Sequence, residues 1–245
     1  MHLDRAEIGA FCEALAAPGF GADGVRVGVF PPFVYLAQVA DALAGTGIVV
    51  GAQNCHPADK GAFTGEVAAR MVKDVGATHV IVGHSERRHV FGETDADVKE
   101  RLDAALALGL DVILCVGETI DERQAERTEE VVFRQLDAGL AGLDGETVAT
   151  RVTVAYEPVW AIGTGLTATP DQAQDVHAAV RARVAGTCGD DVAARVIIQY
   201  GGSVKPDNVA ELIGQADVDG ALVGGASLQP TSFQALARLG TGVNA

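Results

Sequence analysis

Lysine is scarce in this chain, with four in 245 residues, at positions 60, 73, 99 and 205. Lys and Arg together number 18 against 33 Asp and Glu, a formal charge of −15. So acidic a chain has no cationic surface to offer a polyanion, which argues against nucleic acid and anionic membrane as partners. No apolar run approaches the roughly 18 residues that a membrane span needs. The N-terminal residues show no basic-then-apolar leader, and the sequence implies a cytoplasmic protein. Cysteines are few as well. Cys12, Cys55, Cys115 and Cys188 form no CxxC pair and no histidine-flanked zinc spacing. They read as inert thiols in a reducing compartment, with no metal and no disulfide. No linker or low-complexity tract divides the chain, so residues 1–245 are expected to form one domain.

What the sequence does have is apolar content of 48%, enough for a sizeable core. Strand-like runs fall at 25–30, 48–52, 79–82, 112–116, 152–156, 196–200 and 220–223. Amphipathic helical stretches lie between them at 33–43, 65–75, 95–108, 128–140, 170–184, 206–213 and 231–239. The strands largely lack polar alternation, as parallel strands covered by helices do. Pro170 and Pro206 suit first-turn positions, and Thr169 can cap the first of those two helices. The chain opens almost directly on a helix whose apolar face is Ile8, Phe11, Cys12 and Leu15. A (β/α)8 barrel normally has a strand before its first helix. Seven strands are found here, so the expected fold is a (β/α)8 barrel lacking its first strand.

Several residues carry chemistry. Glu157 stands at the end of the run 152–156, followed by Pro158-Val159-Trp160 and the small-residue stretch Ala161-Ile162-Gly163-Thr164-Gly165. A carboxylate at a strand end beneath a hinged loop is what proton abstraction in a water-excluded pocket requires. His84 follows the strand 79–82, and Ser85-Glu86 looks like a helix start. A helix N-terminus disfavours imidazolium, so a neutral ring could donate a hydrogen bond to a substrate oxygen. Gly201-Gly202-Ser203 and Gly224-Gly225 follow the last two strands, where exposed backbone N–H groups can meet an anion. Each feature alone also has a plainer explanation. Glu157 could be an arginine-paired structural carboxylate, His84 a core or capping histidine, and the glycine pairs tight turns.

The segments 155–165, Gly51-Ala52-Gln53-Asn54 with Gly61 to Glu66, Val82 to Arg88, Leu114 to Thr119, and Tyr200 to Val204 with Gly220 to Leu228 stand in one order. In that order they resemble the triosephosphate isomerase family, and the resemblance runs from about residue 25 to 239. It implies a TIM barrel interconverting dihydroxyacetone phosphate and glyceraldehyde 3-phosphate. Glu157 would be the base and His84 the neutral electrophile; this family is the standing example of that pairing, so the roles come from the resemblance. Phosphate contacts are implied at Gly163, Ser203, Gly224 and Gly225. Glu86 reads as a carboxylate acting through its neighbours or at an interface. Residues 53–66 look like the loop that docks into a second subunit, giving a homodimer. No metal or organic cofactor is implied.

The sequence departs from the family in two places. The family's first strand ends in Asn-x-Lys, whose lysine meets the phosphate and the developing enediolate charge. Here the text opens at Met1-His2-Leu3, as though at the methionine that usually follows, and no lysine lies nearby. Leu166 stands where many relatives have lysine at the far hinge of the lid. The departure implies much slower turnover and a homodimer weakened by the missing segment. It leaves two origins open, a natural start upstream of Met1 or a short chain with weakened activity. It also raises an alternative function, a noncatalytic phosphate-ligand-binding or scaffold protein.

Overall fold

The computed structural model describes residues 1–18, 20, 24–162 and 167–239. The chain begins with helix α1 (Arg5–Ala16), set by a capping box in which the Asp4 carboxylate accepts from the Ala6 and Glu7 N–H groups. Strand β1 (Gly28–Val29), helix α2 (Phe33–Ala42) and β2 (Val49–Ala52) follow. Next come α3 (Ala69–Asp74), β3 (His79–Val82), α4 (Ser85–His89), α5 (Asp95–Ala107) and β4 (Asp111–Val116). Three helices, α6 (Ile120–Gln124), α7 (Thr128–Leu140) and α8 (Gly145–Arg151), lead to β5 (Val152–Tyr156). The rest is α9 (Pro170–Cys188), α10 (Asp190–Arg195), β6 (Ile197–Tyr200), α11 (Val209–Ile213), β7 (Gly220–Ala221) and α12 (Pro230–Leu239).

All pairings are parallel, and the sheet order is β1-β2-β3-β4-β5-β6-β7. Alternation sorts the side chains. Ile81, Ile113, Cys115 and Ala155 pack together inside the curl, with Phe30 and Leu222 against them. Val80, Val82, Leu114, Val154, Tyr156, Ile198 and Tyr200 belong to the larger core shared with the helices. Gly51 leaves room for the Phe30 ring, since a Cβ there would lie 2.6 Å from that ring's edge. Among the described residues, β1 and β7 do not pair with each other. The helical layer nevertheless continues across this break. Helix α1 packs on α2 and α12, and Phe11 stacks on Phe233 at 6.3 Å. Burying Ile8 and Leu15 on its inner face contributes about 1.5–3 kcal/mol each. The architecture is a (β/α) barrel lacking a strand.

The two strands flanking the break are shorter than their sequence runs. The run 25–30 keeps only Gly28–Val29, and 220–223 only Gly220–Ala221, because each has one paired neighbour. Helix 206–213 also starts late. Pro206 lies in a turn held by the Asn208 side chain, which accepts from the Lys205 N–H at 2.8 Å, and α11 begins at Val209. Pro170 does open α9, behind the Thr169–Gln172 capping box.

Candidate active site

The carboxyl ends of β3 and β5 bring His84 and Glu157 together. Gly83 makes the turn out of β3 at φ +71°; a side chain there would also meet the Cys115 carbonyl oxygen at 3.1 Å. His84 is then the N-cap of α4, and its Nδ1 accepts from the Glu86 N–H at 3.3 Å. A nitrogen that accepts carries no hydrogen, so in this arrangement the ring is neutral and its hydrogen sits on Nε2. Nε2 lies 3.1 Å from Glu157 Oε1. The geometry delivers an N–H aimed into the site without a positive charge.

Glu157 is 2% exposed. Its backbone N–H bonds the Val116 carbonyl at 2.8 Å, continuing the β4–β5 ladder one residue past the strand. Ser85 N–H donates to Oε2 at 2.8 Å, and the Ser85 hydroxyl donates to Oε1 at 3.3 Å. Burial raises its pKa above the ordinary 4.5, opposed by His84, Ser85 and Cys115. Burial disfavours the charged form, so the ionised carboxylate is a stronger base than one in water. Two glycines hold it closely. A Cβ on Gly117 would lie 2.6 Å from the Glu157 carbonyl carbon, and one on Gly201 2.9 Å from Glu157 Cγ.

Behind the base, Pro158 leads into a single 3-10 turn, Val159–Ala161. Glu118, fully buried, gathers this segment on one oxygen. Its Oε1 accepts from Trp160 Nε1 at 2.9 Å, Arg123 Nη1 at 3.1 Å and the Tyr156 hydroxyl at 3.2 Å. The Arg123 guanidinium also lies over the Trp160 ring, 4.6 Å from its centroid. Residues 163–166 follow, so Gly163 and Leu166 lie outside the described residues.

The two glycine loops open at the same end of the sheet. The Gly201 N–H bonds the Tyr156 carbonyl at 2.7 Å, tying the loop after β6 to β5. Ser203 is half-buried, and its carbonyl oxygen accepts from Asn208 Nδ2 at 3.0 Å. Gly224 precedes the 3-10 turn Gly225–Leu228, closed by the Ser227 hydroxyl on the Gly224 carbonyl at 2.7 Å. A Cβ on Gly224 or Gly225 would meet nothing within 4 Å, so both face open space.

The family model described as triosephosphate isomerase matches residues 1–239. The chain belongs to the triosephosphate isomerase family. It is 52% identical to a triosephosphate isomerase of Herpetosiphon aurantiacus over 238 residues, covering 97% of this chain and 95% of that one. A triosephosphate isomerase of Symbiobacterium thermophilum is 53% identical over 236 residues, 96% of this chain and 92% of that protein. One of Thiobacillus denitrificans is 53% identical over 238 residues, 97% and 94% of the two chains.

The positive charge around the base is sparse. Among the described residues no lysine or arginine is paired with Glu157, whose one cation-capable partner is His84. Lys99 pairs with Asp103 and Lys73 bonds the Leu108 carbonyl, while Lys60 and Lys205 are exposed. Glu86 points into solvent, its side chain 73% exposed and 4.0 Å from His84 Nδ1. Ser85, Cys115, Gly117, Glu118 and Arg123 complete the site, and the sequence alone assigned them no role. Ser85 had a signal, since the residue after an N-cap offers a free N–H to any nearby carboxylate. Among the described residues no group of three or more His, Cys, Asp or Glu could hold a metal ion. No helix among them is long and apolar enough to cross a membrane.

Proposed function

We propose that the chain is a triosephosphate isomerase, interconverting dihydroxyacetone phosphate and glyceraldehyde 3-phosphate. The observation that carries this is the 3.1 Å approach of the His84 Nε2–H to a buried Glu157 whose basicity burial has raised. Substrate enters between them, and the His84 N–H turns from the carboxylate to the substrate carbonyl oxygen. Glu157 takes the proton from the carbon beside that carbonyl, giving an enediolate, and returns it to the neighbouring carbon. The hydroxyl proton passes between the two substrate oxygens through the neutral imidazole. Backbone N–H groups at Gly163, Ser203, Gly224 and Gly225 hold the phosphate, and the lid excludes water. The neighbouring carbonyl supplies the acidity, so neither metal nor organic cofactor takes part.

The same proposal includes slow turnover. A charge-stabilising donor is worth about 10²–10³ in rate, and of the four lysines Lys99 and Lys73 are engaged elsewhere while Lys60 and Lys205 are exposed. That same observation favours the second reading, a phosphate-ligand-binding or scaffold protein. The substrate belongs to glycolysis and gluconeogenesis, which suits a cytoplasmic enzyme. A homodimer is the proposed assembly, built through residues 53–66, where Phe63 is 47% exposed and its ring lies tilted against His56 at 4.2 Å.

A coupled assay on the purified chain tests these readings, run beside a version extended at the N-terminus with Asn-x-Lys and beside Glu157→Gln. Slow turnover, faster in the extended version and cut by about 10²–10⁴ in Glu157→Gln, is the expected result. Phosphoglycolate binding without turnover in either version would decide for the binding protein.

A further inference from the structure

Helix α7 turns one amide into the core. Gln135 is 4% exposed, although its helix neighbours Val131, Val132 and Leu136 are buried apolar side chains. A buried amide costs free energy unless its ends are bonded, so an amide kept here needs a task. Both of its bonds go to one residue, 18 positions earlier in the chain. The Gly117 N–H donates to Gln135 Oε1 at 2.8 Å, and Gln135 Nε2 donates to the Gly117 carbonyl at 3.2 Å. One hydrogen bond leaves a group free to swivel about it; two from a single planar amide do not.

The place of Gly117 gives this clamp its meaning. Strand β3 stays with β4 only as far as Val82↔Leu114, whereas β4 runs beside β5 to Val116↔Tyr156. Past Leu114 the β4 backbone therefore has a strand on one side only, and side chains serve the other. Arg88 Nη2 donates to the Cys115 carbonyl at 3.2 Å, and Gln135 takes both groups of Gly117. On the strand side the segment carries Glu157. The Glu157 N–H bonds the Val116 carbonyl at 2.8 Å and the Val159 N–H bonds the Glu118 carbonyl at 3.1 Å, with Gly117 between the two acceptors. A Cβ on Gly117 would lie 3.3 Å from Glu157 Cα. The two backbones are in contact, so a shift of one is passed to the other.

We infer that Gln135 is a positioning residue for the base, its amide replacing the strand neighbour that β3 no longer supplies and fixing Gly117 as the floor on which the Glu157 backbone rests. The carboxylate has two reference points, the Ser85 N–H at 2.8 Å and His84 Nε2 at 3.1 Å, both just past β3. Its distance from them depends on the spacing between the ends of β3 and β5, and β4 lies between those ends. Without the amide, Gly117 loses its partners on the open edge and Glu157 loses its backing. The loops after β6 and β7, proposed to hold the phosphate, keep their own hydrogen bonds. A fault at Gln135 therefore belongs in kcat rather than in KM.

The kinetic part rests on the isomerase reading; the spectroscopic part does not. In the full chain, Gln135→Met, of similar length but without the amide, should lower kcat by about ten- to a hundredfold, since a misplacement of about 1 Å costs about 10². KM should stay within about twofold. Gln135→Asn, whose amide is drawn back by one carbon, carries the same expectation should the Met variant fail to fold. Added to Gly117→Ala, Gln135→Met should cost less than in the parent, because position 117 is then free to back away from Glu157. Unchanged kcat with a lowered Tm, a loss confined to KM, or fully additive losses would overturn the proposal and leave the amide a packing device. Carboxyl-carbon NMR reads the base without substrate. The Glu157 signal, assigned by its loss in Glu157→Gln, should move in Gln135→Met or Gln135→Asn. A signal that stays in place would overturn the clamp even in a chain with no turnover. Absent turnover with a moving signal would refute the isomerase reading and support the clamp.

Discussion

Gly117→Ala is the most direct test of how the proposed base is held. The new methyl would lie 2.6 Å from the Glu157 carbonyl carbon, where carbon atoms at ease sit about 3.5–4.0 Å apart. The Glu157 carbonyl oxygen lies nearer still, so something must give by more than about 1 Å. Gly117 itself is clamped, its N–H donating to Gln135 Oε1 at 2.8 Å and its carbonyl accepting from Gln135 Nε2 at 3.2 Å. The strain falls on the Glu157 backbone that faces the methyl, and through it on the carboxylate's placement against Ser85 and His84.

Two consequences have magnitudes. Overpacking of this kind costs about 1–3 kcal/mol. For a domain this size that is a fall of about 2–12 °C in Tm. A catalytic group misplaced by about 1 Å costs about 10² in rate. The assay is kcat/KM for triose phosphate isomerisation with a thermal melt on the same sample. Gly186→Ala serves as the control, since its Cβ on α9 would meet nothing within 4 Å. That change should leave the rate alone and add about 0.5–1 kcal/mol of stability. A Gly117→Ala protein with kcat/KM within threefold of the parent would refute the idea that this close approach sets the base.

Glu157→Gln should cost about 10²–10⁴ in rate yet stabilise the fold at neutral pH. A carboxyl whose folded pKa is raised lends stability below its ordinary 4.5 and loses it as pH climbs through the folded value. The variant's advantage should therefore grow from pH 4 to pH 8 and vanish at the acid end; a constant difference would contradict the burial argument. Arg123→Ala leaves Glu118 buried without its cation and should cost about 3–5 kcal/mol in a urea titration, against under 1 if the pair merely decorates the hinge. At pH 8 a thiol reagent should titrate Cys188 alone in the native protein, because Cys12, Cys55 and Cys115 are buried and burial pushes Cys55 up to about 12. Rapid modification of a second thiol before unfolding would show the core open. Amide exchange should be slowest across β3–β5 and fast in β1 and β7, which pair on one edge only.

The central strands were legible because burial on both faces writes a continuous apolar run. Runs 79–82 and 152–156 coincide with β3 and β5, and 112–116 misses only Asp111 of β4. Helices α4, α6, α8 and α10, of five to seven residues, span too few turns for an apolar period to register. His84 and Glu157 stood out because each follows a readable strand. Cys115 and Gly117 did not, since their closeness to Glu157 is set by the parallel register Cys115↔Ala155 and Val116↔Tyr156, which no local pattern encodes. Arg123 and Glu118 are five residues apart and look like ordinary surface charges; only the fold turns Glu118 inward beneath Trp160.

The two halves of the proposed site rest on unequal support. The base and the imidazole sit on long ladders of the sheet, β3–β4 from His79↔Asp111 to Val82↔Leu114 and β4–β5 from Val112↔Val152 to Val116↔Tyr156. Gly224 and Gly225 follow β7, whose pairing is confined to Gln199↔Gly220 and Tyr200↔Ala221 and whose other edge has no strand beside it among the described residues. A chain carrying −15 has no long-range field to draw a phosphate, so those loops must hold it through local N–H groups alone. Donors on a weakly paired strand must be ordered as the ligand arrives, and that ordering is subtracted from binding. The chemistry is thus built on the rigid side of the barrel, and the part of the anchoring at Gly224 and Gly225 on the loose side. A weakness in this chain should show first in how firmly the phosphate is gripped.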